Sequence, residues 1–309
     1  MYDDLFKPAI ENLSRRARRA RRREKLGQAN VVHDIYPGLG LSSDTSRGWS
    51  NNIWHDCPFE AFRANPTEGM TFWDDFTDNS FAGTQTTEII QGRYKLYNTG
   101  AAKINLTSSF NSTITQGGIV SLTIDTDGDA AAIGTQSCPF VLNPSTAKKL
   151  WFEARVASLS IATNDGQLFV GLGENAEVTF GAATPLANAN ATSTGDAKIG
   201  FNRLEDGLGV LNTSYADRAA AWTDVQASAA SMTALNWIKL GMVFDPNNSA
   251  KCVRFYADGV ETTTPLSKTA LEALSHVDTK GLGPVAAVFG DSGAAAVLYI
   301  DWIRVAQRL

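Results

Sequence analysis

Histidine and cysteine are scarce in this chain, with three of each among 309 residues. His33, His55 and His276 are too scattered to suggest a zinc site or a catalytic triad. Cys57, Cys138 and Cys252 form an odd, sparse set, which argues against a disulfide framework and fits folding in a reducing cytoplasm, although one pairing stays open. No Gly-x-Ser-x-Gly elbow occurs. No apolar run approaches the roughly 18 residues that a membrane span requires. The chain starts Met-Tyr-Asp-Asp and continues with mixed charges, so no secretory signal is expected.

What is present is unevenly charged. Residues 1–25 carry nine Lys/Arg against four Asp/Glu, a net of +5; the other 18 basic and 28 acidic residues leave −10 on the rest. Residues 1–26 read as a basic helix, with Pro8 tolerated in its first turn and Gly27 ending it. Arg15, Arg16, Arg18, Arg19, Arg21, Arg22, Arg23 and Lys25 spread around every side of such a helix, so self-repulsion keeps it frayed until an anionic partner neutralises it. Three partners fit: nucleic acid phosphates, an acidic protein surface and an anionic membrane. The short apolar face counts against the membrane. A solvated tail is the plain alternative.

Residues 27–70 lack periodicity but are rich in turns and aromatics. They read as an extended arm whose Trp49, Trp54, Phe59 and Phe62 form an interface, either with the chain's own body or with a neighbouring subunit. Gly38-Leu-Gly40 is a poor phosphate loop, because neither strand nor helix frames it. From Thr71 to Leu309 the pattern is all-β. About thirteen strands are predicted, at 71–76, 93–98, 102–107, 119–125, 138–142, 149–158, 167–173, 197–203, 208–213, 236–245, 251–257, 285–290 and 296–306. Leu150, Phe152, Ala154 and Val156 alternate with Trp151, Glu153 and Arg155, as in a half-buried strand. Asp258-Gly259 signals a hairpin. Helices are expected at Lys268–Val277, capped by Ser267, and at Arg218–Val225. The fold class that follows is an antiparallel two-sheet sandwich over 71–309.

Three stretches carry a family resemblance. Leu150-Trp-Phe-Glu-Ala-Arg-Val156 resembles the long central strand of concanavalin A-like lectin/glucanase (laminin-G-like) jelly rolls. Trp237–Val243 followed by Val253–Val260 resembles their hairpin with its Tyr-x-Asp-Gly turn, and Leu298–Val305 resembles their closing strand. The lead-in Trp54–Pro58, Asn65–Gly69 and Phe72–Phe76 is similar to that of tailed-bacteriophage virion proteins. The two resemblances together imply a capsid decoration or cement protein on the virion surface, made in the host cytoplasm. Its basic arm would anchor it to the major capsid protein or another virion protein, or to nucleic acid. A homo-oligomer and contact with surface glycans are implied as well. The alternative is a lectin-like module that binds host glycans.

The glucanase branch of that family uses a Glu-x-Asp-x-x-Glu strand to place two carboxylates together. The motif is missing here, which leads to the expectation that the chain is not an enzyme. Glu153 is expected to be structural. Asp125–Asp129 fails as an EF-hand, since Ala130 and Gln136 stand where Gly and Glu are needed, and reads as an acidic turn. Asp301 interrupts an alternating strand and is expected to face inward; related sandwiches place calcium near this strand. Asp301 with Asp75, or with Asp74, is therefore the candidate structural calcium site, against the plainer reading of a buried Asp bonded to backbone. Trp222 or Tyr215 could stack on a sugar ring.

Overall fold

A computed structural model describes residues 48–77, 89–98, 100–110, 114–126, 128–162, 166–174, 197–203, 208–217, 223–274, 277–290 and 295–309. The chain divides into a unit Met1–Asn51 and a unit Asn52–Leu309. Every strand below belongs to the second.

The strands form two antiparallel sheets. The first runs β14 (Val260–Glu261), β13 (Val253–Ala257), β12 (Ile238–Phe244), β7 (Leu150–Ser158), β16 (Ala296–Arg308), β5 (Ile114–Ile124) and β4 (Lys103–Phe110), and β1 (Gly69–Asp74) also pairs with β16. The second runs β11 (Thr223–Ser231), β10 (Val210–Ala216), β9 (Lys198–Arg203), β8 (Gln167–Glu174), β15 (Leu282–Phe289), β6 (Ala130–Thr135), β3 (Tyr94–Asn98) and β2 (Ile89–Gln91). Alternate residues from both sheets, such as Phe152 and Val156 in β7, Val170 and Leu172 in β8 and Phe201 in β9, meet in one core. Phe201 meets Phe255 edge to face across it, with centroids 5.8 Å apart. Each such fully buried side chain contributes about 1.5–3 kcal/mol. The expected sandwich is present.

Strand β7 departs from expectation in one respect. Its outward residues are buried too: Trp151 and Glu153 are 0% exposed and Arg155 is 1% exposed. Part of the cover comes from residues 51–64, the part of the expected arm whose described residues are helical. They form α1 (Asn51–Trp54) and α2 (Phe59–Ala64). Ile53 fills the space over Gly241, where a Cβ would come within 2.3 Å of its Cδ1, and the Phe62 ring does the same over Gly69. The Trp54 indole donates to Glu153 Oε2 at 2.8 Å. The Trp151 indole donates to Asp56 Oδ1 at 2.9 Å, and Lys149 bonds the same carboxylate. Asn52 Nδ2 donates to Gly259 O at 2.9 Å. Large aromatic side chains seek burial, and a sheet face with glycine sockets supplies it.

Asp301 does not face inward. The register of β16 against β7 slips between Ile300 and Trp302. Asp301 is the extra residue of this bulge, so Leu298 and Ile300 before it and Ile303 and Val305 after it all face the core. Asp301 instead pairs with Arg155 at 2.5 Å, both fully enclosed, and the Arg155 guanidinium lies 4.5 Å from the Trp237 ring centre. Arg304 is likewise placed over Trp73 and Trp302, at 4.5 and 4.7 Å.

Other boundaries shift for local reasons. The expected strand at 138–142 is reduced to a bridge between Phe140 and Leu282. Ala-rich β6 has weak strand propensity but is held between β15 and β3. Thr223–Val225, expected in a helix, starts β11, while 218–222 lie outside the described residues. Ser267 caps α3 as expected, accepting from Ala270 N at 3.2 Å, but the helix spans only Lys268–Glu272. Asp258 and Gly259 take φ of 48° and 76°, the left-handed pair of a type I′ hairpin.

Three expectations follow. Phe62→Ala should cost about 3–5 kcal/mol in denaturant unfolding, as for a core aromatic; an unchanged midpoint would show that α1–α2 is a detachable arm after all. Asp301→Leu, which takes the carboxylate away from the buried Arg155 guanidinium, should cost about 3–5 kcal/mol, and the Arg155→Met/Asp301→Leu pair less than the sum of the two single changes; additive losses in that double-mutant cycle would refute the coupling. Burial opposes ionisation of Asp56, but hydrogen bonds from Lys149 and Trp151 outweigh it and hold the carboxyl below the usual 3.8. Its folded pKa is thus below its unfolded one, so its stabilisation is complete above pH 3.8 and disappears as pH falls through the lower value. Asp56→Asn should therefore destabilise the protein at pH 7, and the difference should shrink steadily as pH is lowered below 3.8 in thermal melts.

Candidate functional site

Those residues singled out from sequence that the structure describes do not converge on one place. Arg15, Arg16, Arg18, Arg19, Arg21, Arg22, Arg23 and Lys25 lie outside the described residues. Trp49 is half-buried in the Met1–Asn51 unit. Trp54, Phe59 and Phe62 are buried in the second unit, at 6%, 7% and 4% exposure. Tyr215 is half-buried against the core, and Trp222 is not among the described residues.

The candidate calcium ligands each have other partners. Asp301 holds Arg155 outside the first sheet. Asp74 accepts from Phe76 N at 2.6 Å, Tyr94 OH at 2.6 Å and Arg93 at 2.7 Å, between the sheets. Burial raises the Tyr94 phenol pKa, and the neighbouring Asp74 charge raises it further. Asp75 accepts from the Thr77 hydroxyl at 2.9 Å. Among the described residues no group of three or more His, Cys, Asp or Glu could hold a metal ion. The acidic turn at 125–129 is stitched by Asp129, whose carboxylate accepts from Thr126 N at 3.0 Å and Ala101 N at 3.1 Å. None of the cysteines is in a disulfide. Burial pushes the Cys252 thiol up to about 11, which keeps it a thiol at neutral pH.

The polar arrangement best suited to a ligand lies instead on the outer face of the second sheet. Residues of β8, β9 and β10 that alternate with the core point there. Phe169, Ala216, Val285, Ala287 and Phe289 form an apolar cluster separate from the core on this side, with Ala130, Ala132 and half-buried Tyr97. Across the strands the register aligns Phe169 with Asn202 and Asn212, Gly171 with Gly200 and Ser214, and then Ser214 with Asp224. Gly171 and Gly200 are so close that a Cβ on the first would stand 2.7 Å from the Cα of the second. A strip without side chains therefore leads from the sheet centre to Ser214 and ends at Asp224.

At that end a network is assembled. Ser214 Oγ lies 2.9 Å from Asn202 Oδ1 and 2.5 Å from Asp224 Oδ1. A hydroxyl has one proton, and an ionised carboxylate can only accept, so the proton goes to Asp224. The Asn202 contact is then satisfied with the amide nitrogen turned toward Ser214. Asn212 Nδ2 reaches Asp224 Oδ2 at 3.4 Å, and Asn212 Oδ1 accepts from Ser228 N at 2.9 Å. Asn202, Ser214 and Asn212 are buried at 2%, 0% and 8%, whereas Asp224 is exposed. The β10–β11 register breaks on both sides of Thr213, and Ser228 has φ of 54°, a left-handed conformation uncommon for serine. Bulges of this kind re-aim side chains at sheet edges. The result is an exposed acceptor held by buried neutral groups.

Sequence reading missed this cluster because Asn202, Asn212, Ser214 and Asp224 are spread over three strands. The usable signal was polar Asn and Ser alternating with apolar residues in Ile199–Asn202 and Leu211–Ser214, on strands whose other face is core.

No protein-family model matches the chain, and no curated protein matches it by sequence. Solved structures do. A protein of unknown function from Shewanella oneidensis MR-1 aligns over 88% of this chain and 97% of its own, with 16% identity and a TM-score of 0.51. An endo-1,3-beta-glucanase from Streptomyces sioyaensis aligns over 78% and 97%, with 16% identity and a TM-score of 0.44. A Bacillus licheniformis beta-glucanase aligns over 76% and 97%, with 12% identity and a TM-score of 0.43. At such identities the likeness shows the fold alone. It gives no support to the virion origin drawn from the lead-in. The expectation that the chain is not an enzyme is corrected: glucanases are among the structures that resemble it. A missing motif on one strand says nothing of carboxylates that a sandwich brings together from several. The chain has a two-sheet antiparallel β-sandwich, a fold it shares with the Shewanella protein.

Proposed function

We propose that the sandwich is a carbohydrate-binding module whose ligand meets the outer face of the second sheet at the β9–β11 end. One observation carries the reading: the exposed Asp224 carboxylate is held by buried Ser214 and Asn212, with Asn202 behind them. Sugars present dense, directional hydroxyls, and a pre-positioned acceptor recognises them without paying to order a mobile side chain. The glycan activities named for the Streptomyces and Bacillus proteins are consistent with this use of the fold. The capsid-decoration alternative would use Trp54, Phe59 and Phe62 as an anchoring surface, and these are buried against the chain's own sandwich.

The test is a glycan array followed by titration calorimetry with the best oligosaccharides, and chromatography of the same mixtures after incubation to detect any hydrolysis. Ser214→Ala removes the proton that orients Asp224 and should weaken binding about tenfold, roughly 1.4 kcal/mol. An array with no binder, or a Ser214→Ala protein with unchanged affinity, would count against the site.

A further inference from the structure

We infer that the ligand of the β9–β11 site is an uncharged saccharide bound through adjacent hydroxyls on Asp224, and that sulfated, sialylated or uronate-bearing glycans are disfavoured. The inference rests on the carbohydrate reading above and specifies its substrate class.

The argument is one of donors, acceptors and charge. The groups that hold Asp224 are the Ser214 hydroxyl and the Asn212 amide, both neutral. No ion pair of the described residues involves Asp224, so its negative charge is uncompensated within the cluster. A carboxylate offers about four lone-pair positions and no proton. Ser214 and Asn212 each take one position, the latter at a long 3.4 Å, which leaves acceptor capacity for two hydroxyls on an exposed side chain. Ser214 has spent its only proton on Asp224, so it cannot donate to the ligand. A group that docks on the carboxylate must therefore bring its own hydrogens, as a pair of neighbouring sugar hydroxyls does. A sulfate, sialate or uronate brings acceptors and a like charge instead, and the chain's net charge of −5 adds to the repulsion.

Matched pairs of probes test this directly: lactose against sialyllactose, N-acetyllactosamine against its 6-sulfated form, and neutral galactan against galacturonate oligomers. Affinities are measured by calorimetry at about 20 and 200 mM salt, which spans strong and weak screening. The neutral member of each bound pair should bind at least about tenfold tighter, with the gap narrowing at high salt. Asp224→Asn should weaken the neutral member about tenfold and shrink the discrimination, with an unchanged melting temperature because the residue is exposed. Equal or tighter binding of the anionic members, or an Asp224→Asn protein with unaltered neutral affinity, overturns this inference and leaves carbohydrate binding standing. Failure of every neutral and anionic probe to bind overturns the carbohydrate reading and this inference with it.

Discussion

Double burial of β7 is the constraint on which the rest of the structure depends. A strand that loses water on both faces must satisfy its charged side chains inside the protein, because an unpaired buried charge costs several kcal/mol. Glu153 and Arg155 lie in that strand next to Trp151. Glu153 accepts from the Trp54 indole, Arg155 donates to Asp301, and Trp151 donates to Asp56. Two of these partners, Trp54 and Asp56, come from the segment before β1 and the third from the last strand, so this one strand ties both to the middle of the sandwich.

The bulge in β16 is the device that makes this possible. An unbroken strand would keep strict alternation and send Asp301 and Ile303 to the same face. One extra residue at Asp301 resets the alternation, so that the aliphatic residues on both sides of it reach the core while the carboxylate stays outside, beside Arg155. Trp73, Trp302 and Trp237 then stack on Arg304 and Arg155, extending over the charges an aromatic layer that a surface sheet would not need.

The two outer faces thus differ. The first sheet is overlaid by α1–α2 and internally paired charges. The second is apolar over β6, β15 and β8, and becomes polar at β9–β11. There the strand ladder is irregular, and buried amides and a hydroxyl hold an exposed carboxylate. Backbone irregularity next to a satisfied polar network is where folds of this kind commonly depart from local rules, and such departures attend recognition sites more often than cores. The proposal of a glycan at that end rests on the position of Asp224 and not on the overall fold, which hosts more than one activity.

Sequence by itself determined the class of the molecule. Period-2 alternation at Leu150–Val156 and Ile238–Phe244, the Asp258-Gly259 turn and the Ser267 cap are local features, and local sterics and hydrogen bonding enforce them wherever the chain goes. Only the tertiary structure decided what lay on the far side of each strand. Residues 52–64 look like an arm until the glycine sockets at Gly69 and Gly241 are seen beneath Phe62 and Ile53. Asp301 looks inward-facing until the slip against β7 is counted. Ala-rich β6 and the irregular β11 carry too little propensity to be read alone, and pairing with neighbours makes them strands. The candidate site was illegible for the same reason: Asn202, Asn212, Ser214 and Asp224 are neighbours through strand register, and register is set by long-range pairing that no window of sequence contains.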